Sequence, residues 1–357
     1  MKLLNTILFG CLICGAIFMP GCSHAEEGHA KTEINEVSNL NKEIKKMANQ
    51  DLKPGKNVVS YNSEGEKIVA HVYLPKNYVK GQKKPAIVIN PPATGVKEQT
   101  IGLYAEKLSN KGFITLAFDP RGFGESEGHP LLQDPYRITR DIYNSISFIR
   151  TLKEVDVDNV FNMGICAGAG YASHAAAFDS RIKAVAMVSP YLTSANDYLQ
   201  SMGSPTNLRK NLMPQGAAAH QKYFTTGEDA MIKMVPETEE EIKTATPIGV
   251  AMREYYLPGK PGDVPNWKNA LSLMSMNSVL SFSVYNFTHL FDAVPVYMVY
   301  GDKAFTADGG IKFYDAINGP KKRLVVKGAG HFDLYWKPEY VDPAVEGISN
   351  FLKSYIS

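Results

Sequence analysis

Cysteine is nearly absent from the body of this 357-residue sequence, because three of its four cysteines are Cys11, Cys14 and Cys22 and only Cys166 lies further along. A disulfide within that body is therefore excluded, and so is a zinc site built from cysteines. Charge of one sign is also lacking, since the net charge is only +2. No basic run interleaved with aromatic residues occurs, so a nucleic-acid partner is not expected.

Long hydrophobic runs are missing except at the N-terminus. Residues 3–18 are largely apolar, follow a single lysine and are too short to span a bilayer comfortably. This pattern is typical of a secretory signal, and we predict a signal segment over residues 1–22. Met19-Pro-Gly-Cys22 resembles a bacterial lipoprotein box, in which Cys22 is lipidated. Cleavage after Ala25 would instead release a soluble protein.

The predicted localisation is therefore outside the bacterial cytoplasm. The protein is expected as a membrane-anchored lipoprotein, and otherwise as a periplasmic or secreted protein. The lipid at Cys22 is the only membrane contact that the sequence suggests. Residues 23–54 are polar and charged and predict a tether between this segment and the folded body.

From residue 55 onward the sequence predicts alternating strands and helices. Val58 to Tyr73 alternates around Asn62-Ser-Glu-Gly65, which is a hairpin signature. Short apolar runs then alternate with helical periodicity, and a closing helix is predicted from Pro343 to Tyr355. Near-continuous apolar strands separated by helices indicate an α/β fold whose mostly parallel sheet is covered on both faces.

The rhythm breaks between Leu192 and Asp292, where no clear buried strand occurs. Helix-like pieces lie at Pro236–Thr244 and Trp267–Met276, and aromatic residues and methionines are frequent. A structureless loop of this length is unusual inside a compact domain. We therefore predict one domain over residues 55–357 with a helical cap inserted at about 192–292. Most of the cap's aromatic residues are expected to form its own core.

The stretch from Val160 to Tyr171 predicts a nucleophile. A buried strand ends in Gly164-Ile-Cys166-Ala-Gly168, and an Ala-rich helix follows. This is the strand–turn–helix context of a G-x-S-x-G nucleophile elbow, with cysteine in place of serine. The helix N-terminus favours a thiolate, and the Ala167 amide can face a developing oxyanion. The alternative is a small buried cysteine before a Gly-rich helix start.

A histidine and a carboxylate are expected to complete the site. His331 lies on the Gly-rich turn after the last strand, where an imidazole can reach the sheet edge, and nucleophile, acid and histidine follow the chain order of the α/β-hydrolase fold. Asp302 directly follows the preceding strand and is the first choice for the acid. Asp308 is its rival on the same loop, and a Cys–His pair without an acid is the third possibility.

The second oxyanion donor is expected after the first parallel strand. In Asn90-Pro-Pro-Ala-Thr-Gly95 the two prolines have no N–H, so the amide of Ala93 or of Thr94 must face that of Ala167. The nearby Asp119-Pro-Arg-Gly-Phe-Gly-Glu-Ser126 lacks a full phosphate-binding pattern. A structural turn, with Arg121 bonded to neighbouring loops, is the favoured interpretation.

Taken together, these motifs resemble the α/β-hydrolase superfamily over about residues 55 to 355. The cysteine elbow resembles its dienelactone-hydrolase-like branch. Pro92-Ala-Thr-Gly-Val-Lys-Glu-Gln99, the elbow and Gly330-His-Phe-Asp-Leu-Tyr335 are similar to a group of bacterial hydrolases related to fungal polyketide transferases. The resemblance implies acyl transfer from an ester, thioester or lactone through Cys166 and His331.

The predicted function is hydrolysis of a small acyl substrate by a carboxylic ester hydrolase that needs no cofactor and no metal. Two alternatives stay open at this point. One is an acyltransferase of the same fold, in which the cap excludes water and a second substrate takes the acyl group. The other is a non-catalytic binding protein that keeps the fold and has an inert cysteine. The sequence makes no prediction of oligomeric state.

Overall fold

The computed structural model describes residues 52–192 and 204–357. The predicted signal segment, the possible lipid site at Cys22 and nearly all of the predicted tether lie outside the described residues. Within these two ranges no helix has the length and apolar character that a membrane crossing requires.

Strands and helices alternate through both described ranges. The strands are β1 (Gly55–Ser63), β2 (Glu66–Leu74), β3 (Lys84–Asn90), β4 (Ile114–Phe118), β5 (Val155–Ile165), β6 (Val185–Val188), β7 (Met231–Ile232), β8 (Leu271–Ser272), β9 (Val296–Gly301) and β10 (Lys321–Val326). The helices are α1 (Thr100–Ser109), α2 (Pro135–Ile149), α3 (Ala167–Phe178), α4 (Pro205–Asn207), α5 (Met213–Thr226), α6 (Glu239–Thr244), α7 (Pro247–Tyr256), α8 (Ser275–Ser281), α9 (Ala307–Ala316), α10 (Asp333–Trp336) and α11 (Pro338–Lys353). A π-helical turn, Leu208–Leu212, and a 3₁₀ segment, Tyr285–Asp292, complete the set.

An eight-stranded sheet forms the centre of the fold, in the order β1-β2-β4-β3-β5-β6-β9-β10. The pairs β1–β2 and β2–β4 are antiparallel, and every other neighbouring pair is parallel. The central strands β4 and β6 are buried along their whole length, because helices cover both faces. The predicted α/β fold, with a mostly parallel sheet and an antiparallel hairpin at one edge, is confirmed.

The edge hairpin has a tight two-residue turn. Ser63 pairs with Glu66, so Glu64 and Gly65 are the turn residues, and their φ angles are 53° and 94°. Two positive φ angles in succession match the right-handed twist of the flanking strands. Gly65 adopts this conformation without steric cost. The antiparallel pairing of β1 with β2 around this turn confirms the predicted hairpin.

Helix α2 begins at a capping residue, and helix α11 begins earlier in the chain than the sequence predicts. Helix α2 starts after Asp134, whose side chain accepts hydrogen bonds from the Tyr136 and Arg137 amides. Helix α11 starts at Pro338 and continues through Pro343, the residue at which the sequence predicted its start. Pro343 has no N–H to donate within the helix. The helix nevertheless continues, because its buried face, which includes Val341, packs against the sheet.

The segment between β6 and β9 forms helices α4 to α8 and a small two-stranded ladder of β7 and β8. The predicted helix over Trp267–Met276 is wrong, because α8 begins only at Ser275. The Asn269 side chain accepts from the Met234 and Val235 amides and donates to the Val235 carbonyl. These bonds tie Asn269 to a segment distant in sequence, where the chain makes a bend and not a helix.

Two buried ionic clusters fix the loops beside the sheet edge. Lys97 is fully buried, and its Nζ lies 2.8 Å from Asp119 Oδ2 and 2.5 Å from Glu125 Oε2. Burial opposes the charged lysine, but these carboxylates raise the Lys97 pKa above its ordinary value. Arg121 binds Asp141, with Nε 2.8 Å from Oδ1, as the structural interpretation of this turn predicted.

We expect Asp119→Ala to destabilise the fold strongly, because it leaves the Lys97 ammonium buried without its closest fully buried partner. Breaking one side of a buried ion pair costs about 3–5 kcal/mol of unfolding free energy. Chemical denaturation measures this loss. Glu240→Ala is the control, since it removes an exposed ion pair with Lys243 and should leave the denaturation midpoint unchanged. Equal midpoints for the two variants would contradict the role of the Asp119 pair.

Candidate active site

Cys166 occupies a sharp turn between β5 and α3. Its φ and ψ are 56° and −123°, a conformation that residues with a Cβ seldom adopt. The turn is stabilised from both sides, because the Cys166 amide donates to Val188 O and its carbonyl accepts from the Ala169 and Tyr191 amides. The cysteine therefore stands at the N-terminus of α3, where helix dipoles favour a negative charge.

Two glycines make this turn possible. A Cβ at Gly164 would lie 2.0 Å from Gly168 O, and a Cβ at Gly168 would lie 2.4 Å from Pro91 O. Both distances are far below any real contact, so only glycine fits. The first contact closes the elbow, and the second brings the loop after β3 against the start of α3.

This loop presents a second backbone amide to Cys166, as the sequence analysis expects of an oxyanion donor. The backbone N–H groups of Ala167 and Ala93 both donate toward the Cys166 sulfur. The Thr94 amide donates instead to Gln133 Oε1 at 3.0 Å, so the structure distinguishes between the two candidates in favour of Ala93. The carbonyl oxygen of an acyl group bound to this sulfur can therefore meet two amide donors.

His331 is held in a buried, aromatic setting. Its ring is only 3% exposed and stacks on Phe305 with 4.4 Å between ring centres. Its carbonyl accepts from Ser189 Oγ at 2.9 Å, which fixes the backbone of the loop. Its Nε2 atom lies 3.2 Å from the hydroxyl of Tyr335, one helical turn further along the chain.

The carboxylate that the sequence predicts as the hydrogen-bond partner of His331 does not occupy that position. Its Nδ1 atom lies 3.0 Å from Thr306 Oγ1, so a neutral hydroxyl occupies the place predicted for the acid. Asp302 Oδ1 accepts from the Gly328 amide at 2.7 Å, which ties together the loops after β9 and β10. Asp308 lies in the first turn of α9. The expectation for Asp302 is not met because the chain turns at Gly301 and directs this carboxylate toward Gly328.

The site is uncharged at neutral pH. Burial lowers the pKa of His331 to about 3, and no described carboxylate opposes the effect. Burial also raises the pKa of the Cys166 thiol, although the Tyr335 hydroxyl and the two oxyanion amides partly counteract it. Neutral thiol and neutral imidazole are therefore the resting forms.

A cavity of about 860 Å³ opens beside His331. Helix α7 lines one side with Ile248 and Ala251, and Phe305 and Phe332 line the other. Aromatic residues of the inserted segment also reach the site. Tyr256 stacks on Trp267 with 4.8 Å between ring centres, and Trp267 Nε1 lies 3.4 Å from Thr94 Oγ1 on the oxyanion loop.

Sequence reasoning missed two residues of this site. Thr306 was overlooked because only carboxylates were considered as partners of the imidazole. Tyr335 ends the Gly330-His-Phe-Asp-Leu-Tyr335 motif, and its spacing of four residues from His331 places both side chains on one side of a helical turn. That spacing is the signal that could have found it.

A strand–elbow–helix nucleophile, two facing amides and a histidine after the last strand are the parts of an α/β-hydrolase site. Comparison with known proteins agrees, and the chain belongs to the α/β-hydrolase superfamily. Residues 95–248 match the family described as "Serine aminopeptidase, S33". That description names serine, whereas this chain has Cys166 at the elbow.

Several relatives cover most of the chain. It is 32% identical over 306 residues to the uncharacterized protein YcjY of Escherichia coli K12, covering 83% of this chain and 98% of that one. The crystal structure of hypothetical protein PA2218 from Pseudomonas aeruginosa is similar at a TM-score of 0.77 and 28% identity, covering 86% of this chain and 95% of that one. A thiohydrolase of Eupenicillium brefeldianum is 23% identical over 299 residues, covering 82% and 92%. Polyketide transferases of Penicillium are also among its relatives.

We expect Thr306→Val to lower kcat/KM on an aryl ester by about tenfold or more, because His331 Nδ1 loses its partner. The effect should stay below the roughly 10⁴-fold loss known for a serine-protease acid, since a hydroxyl carries no charge. Asp302→Asn is the matched control, because the amide oxygen can still accept from Gly328. A larger loss in Asp302→Asn than in Thr306→Val would restore Asp302 as the orienting residue.

Proposed function

We propose that this protein hydrolyses an ester, thioester or lactone through a covalent acyl intermediate on Cys166. One observation carries the proposal: the Cys166 sulfur stands on a strained elbow and faces the Ala93 and Ala167 amides. A merely structural cysteine has no need of a positive φ angle or of two converging N–H donors. The dienelactone-hydrolase-like branch, with its cysteine elbow, is the part of the superfamily to which we assign the chain.

The mechanism follows from these positions. The sulfur attacks the acyl carbonyl, and the two amides bind the oxygen as it becomes negative. The neutral imidazole of His331 accepts the thiol proton and returns it to the leaving group. Water then attacks the acyl-enzyme with His331 again as base, and the carboxylic acid leaves.

A thioester is the favoured substrate within this group. Sulfur attack on a thioester exchanges one thioester for another, so the acyl-enzyme is close in free energy to the substrate. The relative named as a thiohydrolase supports this choice. The cavity beside His331 is lined both by apolar residues, including Ile248 and Phe332, and by charged ones, including Arg253 and Lys260, and its apolar part is suited to an acyl chain.

The place of action is proposed from the sequence alone. The apolar leader and the Cys22 context favour export, with a lipid on Cys22 as the anchor. A small acyl substrate outside the cytoplasm is then the partner of the site. Intact mass of the mature chain, which reveals any lipid on Cys22, measures this directly.

Replacing the nucleophile tests the proposal. Cys166→Ala should lower turnover by several orders of magnitude on the best substrate among short-chain aryl esters, thioesters and lactones, because the covalent step is lost. The melting temperature should stay close to that of the parent. Cys166→Ser should also be poor, since a hydroxyl needs a stronger base than a thiol does.

Intact-mass spectrometry after mixing with substrate should show one acyl group on the parent and none on Cys166→Ala. Activity of Cys166→Ala within about tenfold of the parent would overturn the covalent mechanism. Product analysis with an added alcohol or amine separates hydrolysis from acyl transfer. The alternative of a non-catalytic binding protein would be favoured if Cys166 reacted with a small electrophile no faster than a free thiol does and if no substrate were turned over.

The pH profile gives a second prediction. The pKa of His331 is lowered to about 3, so the imidazole remains the free base well below its ordinary titration near pH 6.5. We expect kcat/KM to stay nearly constant from pH 8 down to about pH 5, with folding checked by circular dichroism at each pH.

Thr306→Asp is the matched variant for this profile. A carboxylate beside Nδ1 favours the imidazolium and raises the His331 pKa, so an acidic limb should appear. A half-maximal rate of the parent near pH 6.5 would contradict the neutral, buried imidazole.

A further inference from the structure

The hydroxyl of Tyr335 lies between the two groups that the mechanism needs in contact. It lies 3.2 Å from His331 Nε2. The same hydroxyl also contacts the Cys166 sulfur. The imidazole atom that should take the thiol proton therefore has a hydroxyl as its observed neighbour. The Tyr335 hydroxyl is therefore a neighbour of both the sulfur and the imidazole.

Packing fixes the position of this hydroxyl. Tyr335 is 1% exposed, and its ring meets those of Tyr255 and Phe332 edge-on, each with 5.1 Å between ring centres. The short helix that carries it is held by a 2.9 Å hydrogen bond from Tyr104 Oη to Leu334 O. A swing of Tyr335 out of the line between sulfur and imidazole would have to displace these buried rings.

Both hydroxyl neighbours of His331 can donate or accept, and one of the two neutral tautomers gives an unbroken path from the thiol to the imidazole. A neutral imidazole has one N–H, and Thr306 Oγ1 at 3.0 Å from Nδ1 can accept it. Nε2 is then an acceptor, and the Tyr335 O–H is the donor that reaches it. The Tyr335 oxygen keeps its lone pairs for the thiol S–H. One direction of donation thus runs from Cys166 through Tyr335 to His331.

We propose that Tyr335 is a catalytic residue that relays the proton between the Cys166 thiol and His331 Nε2. The inference rests on the covalent function proposed above. In the forward step the S–H bond breaks and its proton joins the Tyr335 oxygen. At the same time the original Tyr335 O–H bond breaks and that proton joins Nε2. The products are a thiolate, a neutral tyrosine and an imidazolium.

The relay leaves the tyrosine hydrogen directed at the new thiolate, so the residue that moved the proton also stabilises the sulfur charge. The electron pair left on sulfur forms the bond to the acyl carbon. On collapse of the tetrahedral intermediate, Nε2–H returns its proton to the Tyr335 oxygen, which gives its own proton to the leaving group. Tyr335 never has to ionise, in keeping with burial, which raises its pKa well above the ordinary value.

Tyr335→Phe tests the relay by removing only the hydroxyl. We expect the single-turnover rate of Cys166 acylation to fall by at least about 100-fold, within the range for loss of a proton-transfer group. The midpoint of iodoacetamide alkylation against pH should also move upward, because the thiolate loses a donor. Tyr255→Phe is the matched control, since that equally buried hydroxyl accepts from the Thr100 amide and should change neither value by more than threefold.

Each result has one meaning. The relay is overturned if Cys166→Ala loses activity while the acylation rate of Tyr335→Phe stays within threefold of the parent. That result leaves direct proton transfer from Cys166 to His331. Retained activity in Cys166→Ala overturns the covalent function itself. If Tyr335→Phe does not fold, the relay is tested by measuring the acylation rate of the parent in mixtures of light and heavy water. Two protons in flight give a curved dependence on deuterium fraction, and a straight line overturns the relay.

Discussion

The site depends on the approach of two backbone segments that only glycine permits. Gly168 brings the start of α3 against the carbonyls of Asn90 and Pro91, at distances that a Cβ would violate. This contact places the Ala93 amide opposite the Ala167 amide, with both directed at the Cys166 sulfur. The strained backbone of Cys166 is tolerated because the surrounding sheet and helix determine the conformation of the turn completely.

Paired charges stabilise the loops beside the reacting side chains. The Lys97 and Arg121 clusters hold the turns that carry the oxyanion loop and the strand ends with buried, paired charges. The line of side chains from Cys166 to Thr306 is neutral throughout. This separation allows ionic bonds to fix the geometry while the reacting side chains themselves carry no charge in the resting state.

Much of this arrangement could be predicted from local sequence. The elbow and His331 were found because each depends on glycine and on position relative to one strand. The choice between Ala93 and Thr94 could not be made, since it depends on Gln133, a residue distant in sequence that takes the Thr94 amide. Asp302 was favoured over Thr306 because residue type suggests a charge, whereas the turn at Gly301 decides which side chain reaches the imidazole.

The inserted segment was predicted least well for the same reason. Apolar spacing around Trp267 suggests a helix, but the side chain of Asn269 binds backbone groups of Met234 and Val235. The periodicity of a sequence does not reveal such a long-range partner. Tyr335 shows the converse case, in which a four-residue spacing was visible but its partner, the sulfur, lies 169 positions away. Long-range contacts therefore set the limit of the sequence-based account.

A neutral resting thiol also affects how the protein survives oxidants. Peroxide attacks thiolates far faster than thiols and converts them to sulfenic and then sulfinic acids. With its pKa raised by burial, Cys166 rests mainly as the protonated thiol and exposes little of the reactive form. Under the proposed mechanism, oxidative damage is thus limited to the brief interval in which the sulfur ionises to attack an acyl carbon.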